Sequence, residues 1–180
     1  MNMKTRFAVA LALLGLALAG APAAYAQLNS NQATVNLNAV LGESLTVSAG
    51  PGTVNFALAA SGIANGSAPV SITTSWVLDS SRSSVACYAF FASAVALTDG
   101  TNNIPTANVQ GSINGGAWAA FTGGSGPFGT ESQQIFSVAI GAGNRNSSRV
   151  DSLDLRIDST GLGLPASTYT GVLNIQAQAI

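Results

Sequence analysis

Val70, Ile72, Thr74, Trp76 and Leu78 stand at every second position of one short run. Side chains alternate between the two faces of an extended strand but return about every 3.6 residues on a helix, so this spacing puts all five on one face of a strand. The same period recurs along the chain. Val35, Leu37 and Ala39 alternate with Asn36 and Asn38, Leu45 and Val47 flank Thr46, and Val54, Phe56 and Leu58 follow a Pro51-Gly52 turn. Leu153, Leu155 and Ile157 alternate with Asp154, Arg156 and Asp158, and Ile175, Ala177 and Ala179 close the chain in the same way. After the first segment no long heptad pattern of apolar residues appears. Short alternating runs between clusters of Gly, Pro, Asn and Ser are the mark of an all-β protein.

The pattern predicts about nine strands after residue 26, folded as a single antiparallel β-sandwich, Ig-like, with Greek-key connections. Val85 to Leu97 is apolar on both faces, which suits a central strand covered on both sides or one that bends between sheets. Within Val109 to Phe121, Asn114-Gly115-Gly116 joins two candidate strands, because Asn and Gly tolerate the positive φ angles of a tight hairpin. Ile135 to Ile140 reads as a strand and Gly141 to Arg149 as a polar loop. No interior linker, composition break or repeat divides residues 27–180, which read as one domain.

The first 26 residues have a different logic. Lys4 and Arg6 precede an apolar run from Phe7 to Gly20, and Ala24-Tyr25-Ala26 is a small-x-small cleavage site, the layout of a secretory signal peptide. The run is short of the roughly 18 residues of a membrane span, and Pro22 would interrupt its extension. The expectation is a protein cleaved before Gln27, secreted to the cell surface or beyond, with the periplasm as the alternative, and free of the bilayer. Cys87 is the single cysteine, so no intrachain disulfide can form. Set in Val85-Ala86-Cys87-Tyr88-Ala89-Phe90-Phe91, it reads as a small buried hydrophobe rather than a link between subunits.

Charge removes most chemistry. Beyond residue 26 only Arg82, Arg145, Arg149 and Arg156 face seven acids, a net charge of −3, with no lysine there and no histidine anywhere. Ser-His-Asp and Cys-His catalysis and the commonest metal ligand are thereby excluded. Four scattered arginines also cannot neutralise a nucleic-acid backbone. No metal, cofactor or catalytic residue is assigned. The densest charge is Asp151, Asp154, Arg156 and Asp158, but on a strand Asp154 and Asp158 lie about 13 Å apart, beyond the roughly 5–9.5 Å of a glycosidase pair. They read as a solvated ion-pair stripe. Asp99-Gly100-Thr101-Asn102-Asn103 offers oxygens to a cation but only one carboxylate, and reads as a turn. Gly123-Gly124-Ser125-Gly126-Pro127 lacks the Lys of a phosphate loop. Asn65 and Asn146 stand in glycosylation sequons expected in loops. Trp118, just past the hairpin tip, offers a surface on which a sugar ring could stack, while Trp76 reads as core.

Leu164-Pro165-Ala166-Ser167-Thr168-Tyr169-Thr170-Gly171-Val172-Leu173-Asn174-Ile175-Gln176-Ala177 resembles the closing strand of exported bacterial β-sandwich proteins of the spore-coat-U and fimbrial-subunit type. The resemblance implies a secreted structural subunit, often polymerised outside the cell. The chain departs from chaperone-assembled pilins in lacking their paired cysteines and penultimate aromatic residue.

The functional expectation is therefore a non-enzymatic structural subunit of a pilus, fimbria or coat, self-associating into a homopolymer by β-strand pairing. The alternative is a secreted carbohydrate-binding module that meets a surface glycan through Trp118. The donor-strand candidates are Val35, Leu37 and Ala39, on an arm from Gln27 to Val40; the competing reading makes this arm the first strand of its own sandwich.

Overall fold

A computed structural model of the chain describes residues 30–124 and 126–180. The signal-peptide segment, residues 1–26, lies outside the described residues. The described residues form the strands β1 (Ser44–Gly50), β2 (Ile63–Asn65), β3 (Val70–Val77), β4 (Ser84–Phe90), β5 (Val95–Thr98), β6 (Asn103–Pro105), β7 (Val109–Ile113), β8 (Ala119–Ala120), β9 (Ser132–Ala139), β10 (Asn146–Asp158) and β11 (Asn174–Ala179). The helical content of the described residues is one 3₁₀ turn, Thr106–Asn108, so none of their helices is long and apolar enough to cross a membrane.

The chain is all-β and its sheets are antiparallel. One sheet runs β1-β3-β10-β7-β8, with β2 also on β10; a second runs β11-β4-β9; β5 and β6 form a separate pair. The two larger sheets share one core, in a sandwich-like arrangement. Ile72 and Trp76 of β3, Leu153 and Ile157 of β10 and Val109 of β7 meet Val85, Cys87 and Ala89 of β4 and Phe136 of β9, all buried. Val40–Ile180 is one compact unit. In the other unit, Met1–Ala39, the described residues 30–39 carry no strand and are exposed.

Much of the predicted alternation is realised. Val70, Ile72, Thr74, Trp76 and Leu78 all face inward, and Trp76 Nε1 donates to the Asn144 carbonyl at 2.8 Å, satisfying the one polar atom of its ring. Asn114 and Gly115 adopt φ of 52° and 72° at the β7–β8 turn, as the Asn-Gly pair predicts. The Val85–Leu97 run breaks after Phe90, and β5 leaves for another sheet. Cys87 is fully buried and burial pushes its thiol pKa up, so it packs as a hydrophobe and cannot reach a second subunit.

Three expectations are corrected. Among the described residues, β2, β6 and β8 are pieces of two or three residues without alternation of their own, which period two could not mark. The Gly141–Arg149 loop ends at Arg145: β3 pairs with Asn146 to Leu153 and draws this polar stretch into the sheet. Val54, Phe56 and Leu58 form no strand. They keep alternating burial, but only an isolated bridge, Phe56 to Gly66, pairs their backbone. Finally, residues 30–43 carry no strand, so Val35, Leu37 and Ala39 are not a first strand of their own sandwich.

Candidate functional site

The exposed arm and the open side of the compact unit are the two features that ordinary folding leaves unexplained. Val35 is 80% exposed, Leu37 92%, Val40 86% and Leu41 83%. Scattered apolar residues on a surface are normal, but four within seven positions of unpaired backbone leave a stretch that gains by being covered. Burial of each such side chain is worth about 1.5–3 kcal/mol.

Within the compact unit, β1 pairs only with β3 and β11 only with β4, so each presents one unpaired edge. The two strands run past each other, one at the margin of each sheet, and their inward residues are only partly buried: Leu45 and Val47 on β1, Ile175, Ala177 and Ala179 on β11. Between them lies a groove. At one end a cavity of about 360 Å³ is lined by Ala49, Val54, Phe56, Leu173 and Ile175 and reaches the core residues Val70, Phe91, Val109 and Leu155. An apolar cavity of about 150 Å³ already holds a benzene ring, so this one has room for more than one aliphatic side chain. At the other end a cavity of about 280 Å³ lies among Leu45, Leu78, Ala177 and Ala179. Its mouth carries Arg82, which donates to both oxygens of Glu43 at 3.1 and 3.0 Å. Those bonds and the Asp79 N–H hold the Glu43 carboxyl below its ordinary pKa.

The C-terminal segment shapes the groove. Tyr169 donates its hydroxyl to the Pro165 carbonyl at 3.0 Å, fixing the corner before β11. Gly171 packs its backbone on the Ala96 carbonyl so closely that a Cβ would collide with it. Thr98 and Thr170 exchange backbone hydrogen bonds beside this contact. Val172, next in sequence, is 71% exposed at the cavity rim.

The charged strand β10 divides by phase. Asp154, Arg156 and Asp158 share the outer face, as predicted, but they form no ion pair. Arg156 instead donates Nε to Gln110 Oε1 at 2.7 Å and lies 4.3 Å over the Trp118 ring, which is 37% exposed. Asp151 has the opposite phase, shared with Leu153, and is 2% exposed. Burial alone would raise its pKa, but hydrogen bonds from Arg149, at 2.7 and 2.5 Å, and from Asn114, at 2.9 Å, outweigh burial and hold it below the ordinary range. Arg149 also covers the Phe136 ring at 4.2 Å.

The remaining candidates resolve locally. Asp99 accepts from the N–H groups of Thr101 and Asn102 and from the Asn102 amide, which depress its pKa strongly and make the segment a closed turn. Asn65 ends β2 and Asn146 begins β10, so both sequon asparagines stand on strands, exposed, rather than in loops. Among the described residues no three His, Cys, Asp or Glu side chains gather as a metal site. No family model and no curated protein matches the chain. The groove was invisible in the sequence because it depends on which strands become edges. Asp151 had a signal, its phase with Leu153.

Proposed function

We propose that the protein is a non-enzymatic, exported structural subunit that polymerises by strand addition at the cell surface or outside the cell. In this reading the fold is an Ig-like Greek-key sandwich left open along β1 and β11, and the arm of one copy, carrying Val35, Leu37 and Ala39, fills that opening in the next. The observation that carries the reading is the coexistence of an unpaired alternating apolar arm and an apolar groove between two unpaired strand edges. A strand entering such a groove gains affinity through main-chain hydrogen bonds, and its alternate side chains set register in the cavities. Lysine commonly protects exposed strand edges, and the chain has none after its leader. Donation from copy to copy is head-to-tail, so it produces an open filament rather than a closed dimer.

Deleting residues 27–40 from the full chain tests the reading by electron microscopy and sedimentation. A folded monomer that forms no filaments is expected. Filaments that persist, or a chain that no longer folds, contradict donation.

A further inference from the structure

Two strand edges flank the groove, and an incoming arm can run along it in either direction. We infer, resting on the strand-addition reading, that the arm of a second copy adds antiparallel to β11 with Leu37 opposite Ala179, Ala39 opposite Ala177 and Leu41 opposite Ile175. Leu37 then fills the smaller cavity and Leu41 the larger.

The hydrogen bonding of β11 selects the edge. Ile180 and Ser84 exchange both backbone bonds, at 3.0 and 3.1 Å, across the antiparallel β11–β4 pair. Bonded and unbonded pairs alternate along such a ladder, so Gln178 and Gln176 also turn N–H and C=O toward β4, whereas Ile175, Ala177 and Ala179 turn theirs to the open edge. The same three side chains line the groove. A strand bonded to these residues therefore places its own alternate side chains in the cavities.

The root of the arm selects the direction. Glu43, held by Arg82 and by the Asp79 N–H, leads into β1 at the smaller-cavity end. An arm antiparallel to β11 runs the other way along the groove from β11 itself, entering beside Ala179 and ending beside Ile175 at the larger cavity. A chain's own arm cannot do this. Leu41 lies three residues from Ser44, a reach of about 10 Å, while Ala49, where β1 meets the larger cavity, is five residues beyond Ser44, roughly 16 Å away. The donor domain therefore stands at the larger-cavity end of its acceptor, and the acceptor's own arm leaves from the opposite end. Each addition leaves one arm free, so the chain of subunits stays open.

Side-chain size selects the register. Leu37 and Leu41 are four residues apart, roughly 13 Å on a strand, and so are Leu45 and Ala49, which line the smaller and the larger cavity. Val47, between them, lines neither cavity, and the arm residue that passes there is Ala39, the smallest of the apolar set. Leu41, 83% exposed, thereby gains the same role as Leu37.

The test mixes full mature chains that carry one engineered cysteine each, so that only contacts between copies are read; the native Cys87 is fully buried and does not compete. In this register Asn38 faces Gln178 and Val40 faces Gln176. Mild oxidation of assembled mixtures should join Asn38→Cys to Gln178→Cys and Val40→Cys to Gln176→Cys. It should not join Asn38→Cys to Asn174→Cys, about 13 Å further along β11, nor to Thr46→Cys or Ser48→Cys on β1. Leu37→Ala and Leu41→Ala should each raise the concentration needed for assembly roughly tenfold to a hundredfold, and Ala39→Leu should abolish assembly. Circular dichroism should find all three monomers folded, because these side chains are exposed. Disulfides to Asn174→Cys or to β1, or assembly indifferent to Ala39→Leu, overturn this edge and register while leaving strand addition in place. Material that assembles without a disulfide at any of these pairs overturns donation of the arm itself.

Discussion

The two sides along which the sheets meet are finished differently. On the side of β7, β8 and β9, Phe121 is fully buried and packs edge-to-face on Phe91 at 5.2 Å. Gln133 of β9 donates to the Gly111 carbonyl of β7 at 3.2 Å, and Thr106 bonds Glu131 across the same gap. Gly111 leaves room for this contact, since a Cβ there would press on the Gln133 amide and the Leu153 side chain. On the side of β1 and β11 the lining residues are only partly buried, and two cavities open between the strands. One side is cross-bridged and filled; the other is apolar and unfilled. An unfilled apolar side costs stability in an isolated domain, and strand addition, as proposed, would fill it.

The contrast predicts unequal responses to the same kind of truncation. The largest belongs to the closed side, where Phe121→Ala should cost about 3–5 kcal/mol in urea melts, the usual loss for a fully buried aromatic. A cost below about 1 kcal/mol would mean that this side is no better packed than the other. Asp151→Ala comes next, at about 3 kcal/mol, because it leaves the Arg149 guanidinium facing the core without its partner; the estimate is at the low end since Arg149 is about one-third exposed. The same pair sets an acid limit. Asp151 has a folded pKa below its unfolded value, so its contribution is complete above about pH 4 and is lost as pH falls through the lower folded value. Asp151→Asn should flatten that acid-side slope of stability against pH. An unchanged slope would assign acid sensitivity to other carboxyls.

These residues also show what could be read from the sequence and why. The inward face of β3 and the β7–β8 turn were legible because each depends on neighbouring residues alone: period two in one case, two adjacent positive-φ residues in the other. The first half of β10 was not, since Asn146 to Val150 become strand through pairing with β3, a partner about seventy residues away in sequence. Trp118 was singled out by its place near the turn, but its stack with Arg156 needed the cross-strand register of β7 and β10. The arm was legible as an alternating segment. That it stays unpaired, and that β1 and β11 become edges, are properties of topology, which no local pattern encodes.

On the open side the expected effects are smaller. Leu45→Ala should cost about 1 kcal/mol in the monomer, because the side chain is only half removed from water. In assembled material the same variant should lose more, since the groove is then covered; equal losses in both states would place the assembly contact elsewhere. The smallest effect on the monomer is expected from Leu37→Asp. The side chain is 92% exposed, so its stability should change by less than about 0.5 kcal/mol. Assembly, in contrast, should fail, as sedimentation of variant and parent would reveal, because an aspartate cannot enter an apolar cavity unpaired.

Amide hydrogen exchange, compared between dilute monomer and concentrated assembled protein, reads the arm and both groove edges in one experiment. In the assembly, amides of residues 33–41 should slow by at least about a hundredfold, together with those of β1 and β11, while the β7–β9 side stays as it is in the monomer. An arm that exchanges at the rate of an unfolded chain within the assembled material, or a protein that remains monomeric at every concentration, would contradict strand addition.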